Sequence, residues 1–201
     1  GLPYAIMDAT VITTMRTVAA TLLGARCFAQ PEAESFGMIG CGELGRKHVE
    51  FVTAALPKVS KIYIYDKYDS AMDALVKDVQ PKIEAEIVKA RSMEEVVKNS
   101  DVIASATVFT KPRPEIKDEW IREGHTILLC DSHVLYEDRT IKRSDKYIVD
   151  SYDQMLYFNT LGYYEGGLPD VYGELGEVIA GMKKGRESDK ELIVNNNIGM
   201  A

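Results

Sequence analysis

The segment Gly37-Met38-Ile39-Gly40-Cys41-Gly42-Glu43-Leu44-Gly45 constrains this chain more than any other. Gly-x-Gly-x-x-Gly is short and common by itself, but here an apolar run at 36–40 precedes it and a helix-like stretch at 44–56 follows. In that setting each glycine has a task. Gly40 permits the tight turn, Gly42 lets the backbone approach a pyrophosphate, and Gly45 lets helix and strand pack closely. The helix then points its amide-rich N-terminus at the phosphates. About twenty residues on, a second strand at 61–65 closes with Asp66. A carboxylate there accepts both ribose hydroxyls of adenosine and repels a 2′-phosphate, which favours NAD over NADP. Lys67 follows directly and softens that repulsion. The alternative is a glycine turn with no ligand and an aspartate facing water.

Beyond the turn, short apolar runs alternate with helix-like stretches. Strands are expected at 36–40, 61–65, 86–90, 101–106, 126–130 and 147–150, and helices at 44–56, 70–79, 93–99 and 152–160. Most of these strands are nearly all apolar, as expected where helices cover both faces of a parallel sheet. The fold class is α/β, a Rossmann-type doubly wound and mainly parallel sheet. Both ends sit outside such a unit. Residues 1–30 carry a helix over about 10–29, with apolar positions Ile12, Met15, Ala19, Leu22 and Leu23 at helical spacing and Asp8 or Thr10 to cap its start. We therefore expect 1–30 to be a connecting helix from a second domain and 31–185 to be the dinucleotide-binding domain. Residues 186–201 would return toward that second domain, which the family resemblance given below makes a substrate domain, with the whole being one segment of a longer protein.

Composition excludes several classes. The net charge of −7, from 24 basic and 31 acidic residues, opposes binding to nucleic acid, which relies on clustered cations. No apolar run approaches the roughly 20 residues that cross a bilayer, so no membrane partner is expected. Cys27, Cys41 and Cys130 show no Cys-x-x-Cys spacing and read as buried thiols in a reducing cytoplasm. No metal is expected, because Asp131, Ser132 and His133 lack ligand spacing.

Candidate chemistry lies in three places. Arg16 stands one turn after Ile12 and one before Ala20. It can clamp a carboxylate through two parallel hydrogen bonds, or snorkel to water from the border of an apolar face. Cys130-Asp131-Ser132-His133 follows the fifth strand, at the end where open parallel sheets gather ligands. There His133 can serve as an acid or base, with Asp131 as its partner or as a base itself; solvated or capping residues are the alternative. Thr107, at the end of the fourth strand, can reach a cofactor or serve turn geometry. The charged run from Lys183 to Glu191 reads as a solvated loop.

Taken together, these residues resemble the ornithine cyclodeaminase/μ-crystallin family, which includes archaeal-type alanine dehydrogenases and ketimine reductases. The resemblance rests on Thr13-x-x-Arg16-Thr17, Gly40-x-Gly42-x-x-Gly45, Asp66, Asp150-Ser151, Gly173-Glu174-Leu175-Gly176-Glu177-Val178, Gly185-Arg186-Glu187-Ser188-Asp189 and Asn197-Ile198-Gly199-Met200-Ala201. It covers nearly the whole chain. The resemblance implies hydride transfer between a nicotinamide and Cα of a small amino or imino acid, with or without deaminative cyclisation, in a homodimer. It implies that Arg16 and Ile198 contact substrate. Arg16, Thr17, Gly40, Cys41, Gly42, Glu43, Leu44, Gly45, Asp66, Thr107, Cys130, Asp131, Ser132 and Asn197 would line NAD. Where cyclodeaminases place an aspartate acting on the side-chain amine, this chain has His133, with Asp131 two positions earlier, which leaves the substrate side chain open. A non-catalytic NAD(P)-linked small-ligand-binding protein of the μ-crystallin type is the alternative reading.

Overall fold

Residues 2–108, 112–164 and 166–197 are described by the structure, a computed structural model. Among them eight strands form one sheet in the order β3-β2-β1-β4-β5-β8-β6-β7, every pairing parallel. The strands are β1 (Ser35–Ile39), β2 (Lys61–Tyr65), β3 (Glu86–Lys89), β4 (Val102–Ser105), β5 (Thr126–Leu129), β6 (Lys146–Val149), β7 (Val171–Glu174) and β8 (Ile193–Asn196). Helices α1 (Thr10–Phe28), α2 (Glu43–Ala55), α3 (Asp69–Val79), α4 (Met93–Asn99), α5 (Asp138–Lys142), α6 (Tyr152–Thr160) and α7 (Leu175–Ile179) connect and cover them. The doubly wound parallel sheet is the expected fold class.

Strand periodicity divides the core between the two faces. Phe36, Met38, Ile62, Ile64, Val102, Ala104 and Leu128 pack with α1, α2 and α3 on one face. Ile39, Ile103, Ile127, Leu129, Val149 and Val194 pack with α4, Ile141 and Met155 on the other. Chain order reverses between β1 and its neighbour β4, and this switch point opens a crevice at the carboxyl ends of the strands. Local signals set the helix starts. Ser92 accepts from the Glu95 amide at 3.1 Å, and Ser151 accepts from the Gln154 amide at 3.3 Å. Glu174 and Glu177 form a reciprocal capping box on α7.

Several expectations change. On α1 only Leu22 of the anticipated apolar face is buried; Ile12, Met15 and Leu23 are exposed, and Ala19 with them. The buried side carries Thr14, Thr17 and Thr21 with Val18, Leu22, Gly24, Ala25 and Phe28. Each of those threonines returns its hydroxyl to the carbonyl four residues back, at 3.1, 2.8 and 2.9 Å, so it enters the interface already satisfied. Small side chains then let the helix lie close: a Cβ on Gly24 would stand 2.1 Å from Asn195 Oδ1.

The run from Lys183 to Glu191 is no simple solvated loop. Arg186 donates to the carbonyls of Phe28, Ser188, Glu191, Gly124 and His125 and to Thr126 Oγ1, bolting the end of α1 to the start of β5. Residues 193–196, expected within a segment leading away, supply β8 between β5 and β6. Of the three cysteines only Cys41 is fully buried; Cys27 and Cys130 are half-buried. No helix among the described residues is long and apolar enough to cross a membrane.

Candidate functional site

At the end of β1 the backbone turns at Gly40, whose φ of +99° lies where only glycine is unstrained. A Cβ there would stand 2.6 Å from the Ala106 carbonyl oxygen. Gly45 is tighter still, since its Cβ would fall 1.9 Å from the Gly40 carbonyl oxygen. Gly42 differs: nothing lies within 4 Å of where its Cβ would be, so its face of the turn is open. Gly42 caps α2 in extended conformation, and Glu43 and Leu44 begin the helix. The amides of the first helical turn therefore stand beside open space at Gly42, where an anion can approach them.

Asp66 spans from β2 to this turn. Its Oδ2 accepts from the Cys41 amide at 2.8 Å and its Oδ1 from the Tyr68 amide at 3.0 Å. Each oxygen keeps lone-pair capacity for a ribose hydroxyl. The Cys41 thiol is buried, and burial, with Asp66 adding to it, pushes its pKa up to about 12. Arg46, which the sequence reading passed over, has a buried Nε with no partner among the described residues. Its position one residue beyond the fingerprint was the available signal.

At the ends of β4 and β5, Asp131 is 1% exposed. Its Oδ1 accepts from Ser105 Oγ at 2.6 Å, and its Oδ2 from the Thr107 amide at 2.9 Å and Thr107 Oγ1 at 2.8 Å. The expected pairing of Asp131 with His133 is therefore not formed, and Thr107 turns its hydroxyl proton to Asp131. The carboxylate facing His133 is Asp138, with Oδ1 4.0 Å from Nε2. His133 is buried, its Nδ1 lies 3.5 Å from Ser132 Oγ, and its ring centroid lies 4.7 Å from that of Tyr164. Burial lowers its pKa and Asp138 opposes the shift. Ser132 has φ of 59°, an uncommon conformation for a residue other than glycine, of the kind that clusters at functional sites.

Cys130 joins the strand ends to α1 and α2. Its Sγ lies 3.0 Å from Thr21 Oγ1 and 3.6 Å from His48 Nε2. His48 Nδ1 sits 2.7 Å from the Leu44 carbonyl oxygen, which requires the proton on Nδ1 and leaves Nε2 an acceptor for the thiol. Burial pushes the Cys130 thiol up to about 12 and the His48 imidazole down to about 4, so both are neutral at pH 7. Arg16 is exposed on α1, and its charge is felt at the Cys130 thiol. Thr17, one position on, is buried. Cys130 thus links the strand-end loop to α1, which carries Arg16, and to α2, which follows the glycine turn.

Three successive asparagines follow one another at the end of β8. Asn195, Asn196 and Asn197 are all buried at the end of β8, and the Asn197 amide donates to the Leu129 carbonyl at 2.8 Å. Asn197 Nδ2 donates to Asn195 Oδ1 at 3.0 Å, while Asn197 Oδ1 is buried without a partner among the described residues. Asn196 Nδ2 donates to the hydroxyls of Tyr147 and Tyr164 at 2.8 and 3.2 Å. Ile198 lies outside the described residues. Among the described residues no group of three His, Cys, Asp or Glu side chains could hold a metal ion.

Residues 1–201 match the model of the ornithine cyclodeaminase/μ-crystallin family. The chain is 33% identical over 208 residues to the alanine dehydrogenase of Archaeoglobus fulgidus, covering 100% of this chain and 63% of that protein. It superposes on the Δ1-pyrroline-2-carboxylate reductase of Thermococcus litoralis, solved with NADH and L-proline, with a TM-score of 0.85 at 29% identity. That match covers 99% of this chain and 63% of the other. An archaeal alanine dehydrogenase dimer with bound NAD gives 0.83 at 30% identity, covering 100% of this chain and 63% of the other. The chain thus spans about three fifths of the length of the relatives it matches.

Proposed function

Because this chain belongs to the ornithine cyclodeaminase/μ-crystallin family, we propose that it holds NAD at the strand-end crevice and serves hydride transfer at Cα of a small amino or imino acid. The observation that carries this reading is the contrast among the fingerprint glycines. Gly40 and Gly45 have no room for a Cβ, whereas Gly42 faces open space beneath the first amides of α2. Backbone conformation and close packing explain Gly40, and close packing explains Gly45; approach by a ligand explains the third.

In this reading the main chain of Cys41 to Gly45 holds the pyrophosphate, and Asp66 accepts the adenosine ribose hydroxyls, favouring NAD over NADP. Thr107, Cys130, Asp131, Ser132 and Asn197 form the nicotinamide half, with the orphaned Asn197 Oδ1 available to an amide or amine donor. Arg16, with Thr17 beside it, clamps the substrate carboxylate next to the cofactor. Ile198 contacts the substrate. When bound, NAD supplies the hydride acceptor or donor. His133 holds or moves a proton at its Nε2, which Asp138, itself half-exposed, links to solvent. Catalysis takes place in a cytoplasmic homodimer. Net redox chemistry, as in a dehydrogenase or imine reductase, is favoured over deaminative cyclisation, because the buried Asp131 carboxylate is committed to Ser105 and Thr107.

Screening the protein with NAD+ against small L-amino acids, and with NADH against their imino acids, tests this by the absorbance of the reduced nicotinamide. Turnover that Arg16→Ala abolishes, or slows through a raised KM, supports the assignment. Turnover indifferent to Arg16→Ala rejects the clamp. Dinucleotide binding with no turnover on any amino or imino acid indicates instead the ligand-binding role of the μ-crystallin type.

A further inference from the structure

Most buried charges in this fold have a counter-charge. Asp118 meets Arg143 at 2.6 Å and Arg139 at 3.2 Å, and Lys146 meets Glu187 and Glu191 at 2.9 Å each. Asp101, half-buried, meets Arg122 at 2.7 Å. Asp131 is the exception. It is more deeply buried than any of these, and among the described residues what acts on it is burial, opposed by hydrogen bonds from Ser105, Thr107 and its own backbone, with no cation in contact. Three donors converge on its two oxygens, an arrangement suited to an acceptor-only carboxylate. A buried, unpaired charge is costly, and keeping one calls for a function or an absent partner.

Its location indicates which partner. Asp131 lies at the carboxyl ends of β4 and β5, on the far side of the β1–β4 switch point from Asp66, where the nicotinamide half of a dinucleotide belongs. Oxidised and reduced dinucleotides differ there by one positive charge on the ring. We propose that Asp131 is a fixed buried anion that makes this site prefer the oxidised, cationic nicotinamide to the reduced, neutral one. Asp131 is then a residue that sets redox-state preference, not an acid or base. Burial raises its pKa above the usual carboxylate range and the three donors offset only part of that rise, so the anion is carried by the donor geometry at its two oxygens. Arg16, the cation felt in this region, is exposed and screened, and a bound substrate carboxylate neutralises it.

This rests on the dinucleotide reading above and is tested separately from it. The dissociation constants of NAD+ (calorimetry) and NADH (fluorescence) are measured on the protein at pH 8.5, where alkaline solution favours the ionised Asp131, before and after Asp131→Asn. At an effective dielectric of about 20, Coulomb's law across one or two side-chain layers gives a preference on the order of tenfold. The ratio Kd(NAD+)/Kd(NADH) is therefore expected to rise about tenfold in the variant, which raises the potential of the bound couple by about 30 mV. Raised salt should leave the difference in place, since the charge is buried. Ser105→Ala removes one donor but keeps the charge, and is expected to keep the wild-type ratio. Asp131→Ser serves if the asparagine variant does not fold. An unchanged ratio in the Asp131 variants, or an equal change in Ser105→Ala, overturns the proposal. Failure of the wild-type protein to bind either dinucleotide overturns the underlying reading instead.

Discussion

Substituting alanine at two glycines three positions apart should separate folding from binding. At Gly42 an added methyl meets nothing within 4 Å, and the backbone, with φ of −71°, is open to any residue. Alanine is a poorer helix cap than glycine by roughly 0.5–1 kcal/mol, but it gains about 0.4–1 kcal/mol by restricting the unfolded chain. The two nearly cancel, and the melting temperature should stay within about 3 °C of wild type. The same methyl occupies the space a pyrophosphate needs, so NADH affinity should fall at least about tenfold. At Gly45 the methyl would lie 1.9 Å from a backbone oxygen that cannot swing away. Forcing helix and turn apart costs on the order of 1–3 kcal/mol or more, which lowers the melting temperature by roughly 3–10 °C. Thermal melts beside fluorescence titrations with NADH read both quantities. Gly42→Ala binding NADH like wild type, or melting as low as Gly45→Ala, refutes the assignment of that open face to a ligand.

Other consequences are equally direct. Arg186→Met strips six acceptors of their donor and should cost roughly 3 kcal/mol or more, a fall of about 10 °C in a thermal melt; a shift under 2 °C would deny its role as a bolt. His48 is held neutral, its pKa lowered from 6.5 to about 4, so the unfolded chain takes up its proton first as pH falls. The stability this contributes is present above pH 6.5 and is lost between pH 6.5 and 4, amounting to roughly 3 kcal/mol. Denaturant melts across that range should steepen accordingly, and a His48→Gln variant should show a shallower loss. Asp66→Ala should weaken NADH binding and narrow its gap to NADPH, while unchanged selectivity would remove the ribose assignment.

Much of the sheet was legible because buried parallel strands are continuous apolar runs, and β1, β2, β4 and β5 announce themselves that way. β8 reads as Ile193-Val194-Asn195-Asn196, half polar, yet lies inside the sheet because Asn195 accepts from Asn197 and Asn196 donates to two tyrosines. β7 escaped notice because Val171-Tyr172-Gly173-Glu174 is only partly buried at the sheet edge. The buried face of α1 is not legible from hydrophobic spacing, because Thr14, Thr17 and Thr21 carry much of it. Threonines that return their hydroxyls to the helix backbone bury as readily as small apolar residues. At the site, the glycine turn and Asp66 follow from local spacing alone. The unpaired Asp131 and the Cys130–His48 contact join residues far apart in sequence, which no local pattern encodes.

The central claim is that the strand-end crevice is an NAD site. Titrating the protein with NADH and, separately, NADPH tests it most directly, using the quenching or transfer of fluorescence on binding. Tight NADH and weak NADPH binding is the predicted result. Binding of neither, or of NADPH as tightly as NADH, would contradict it.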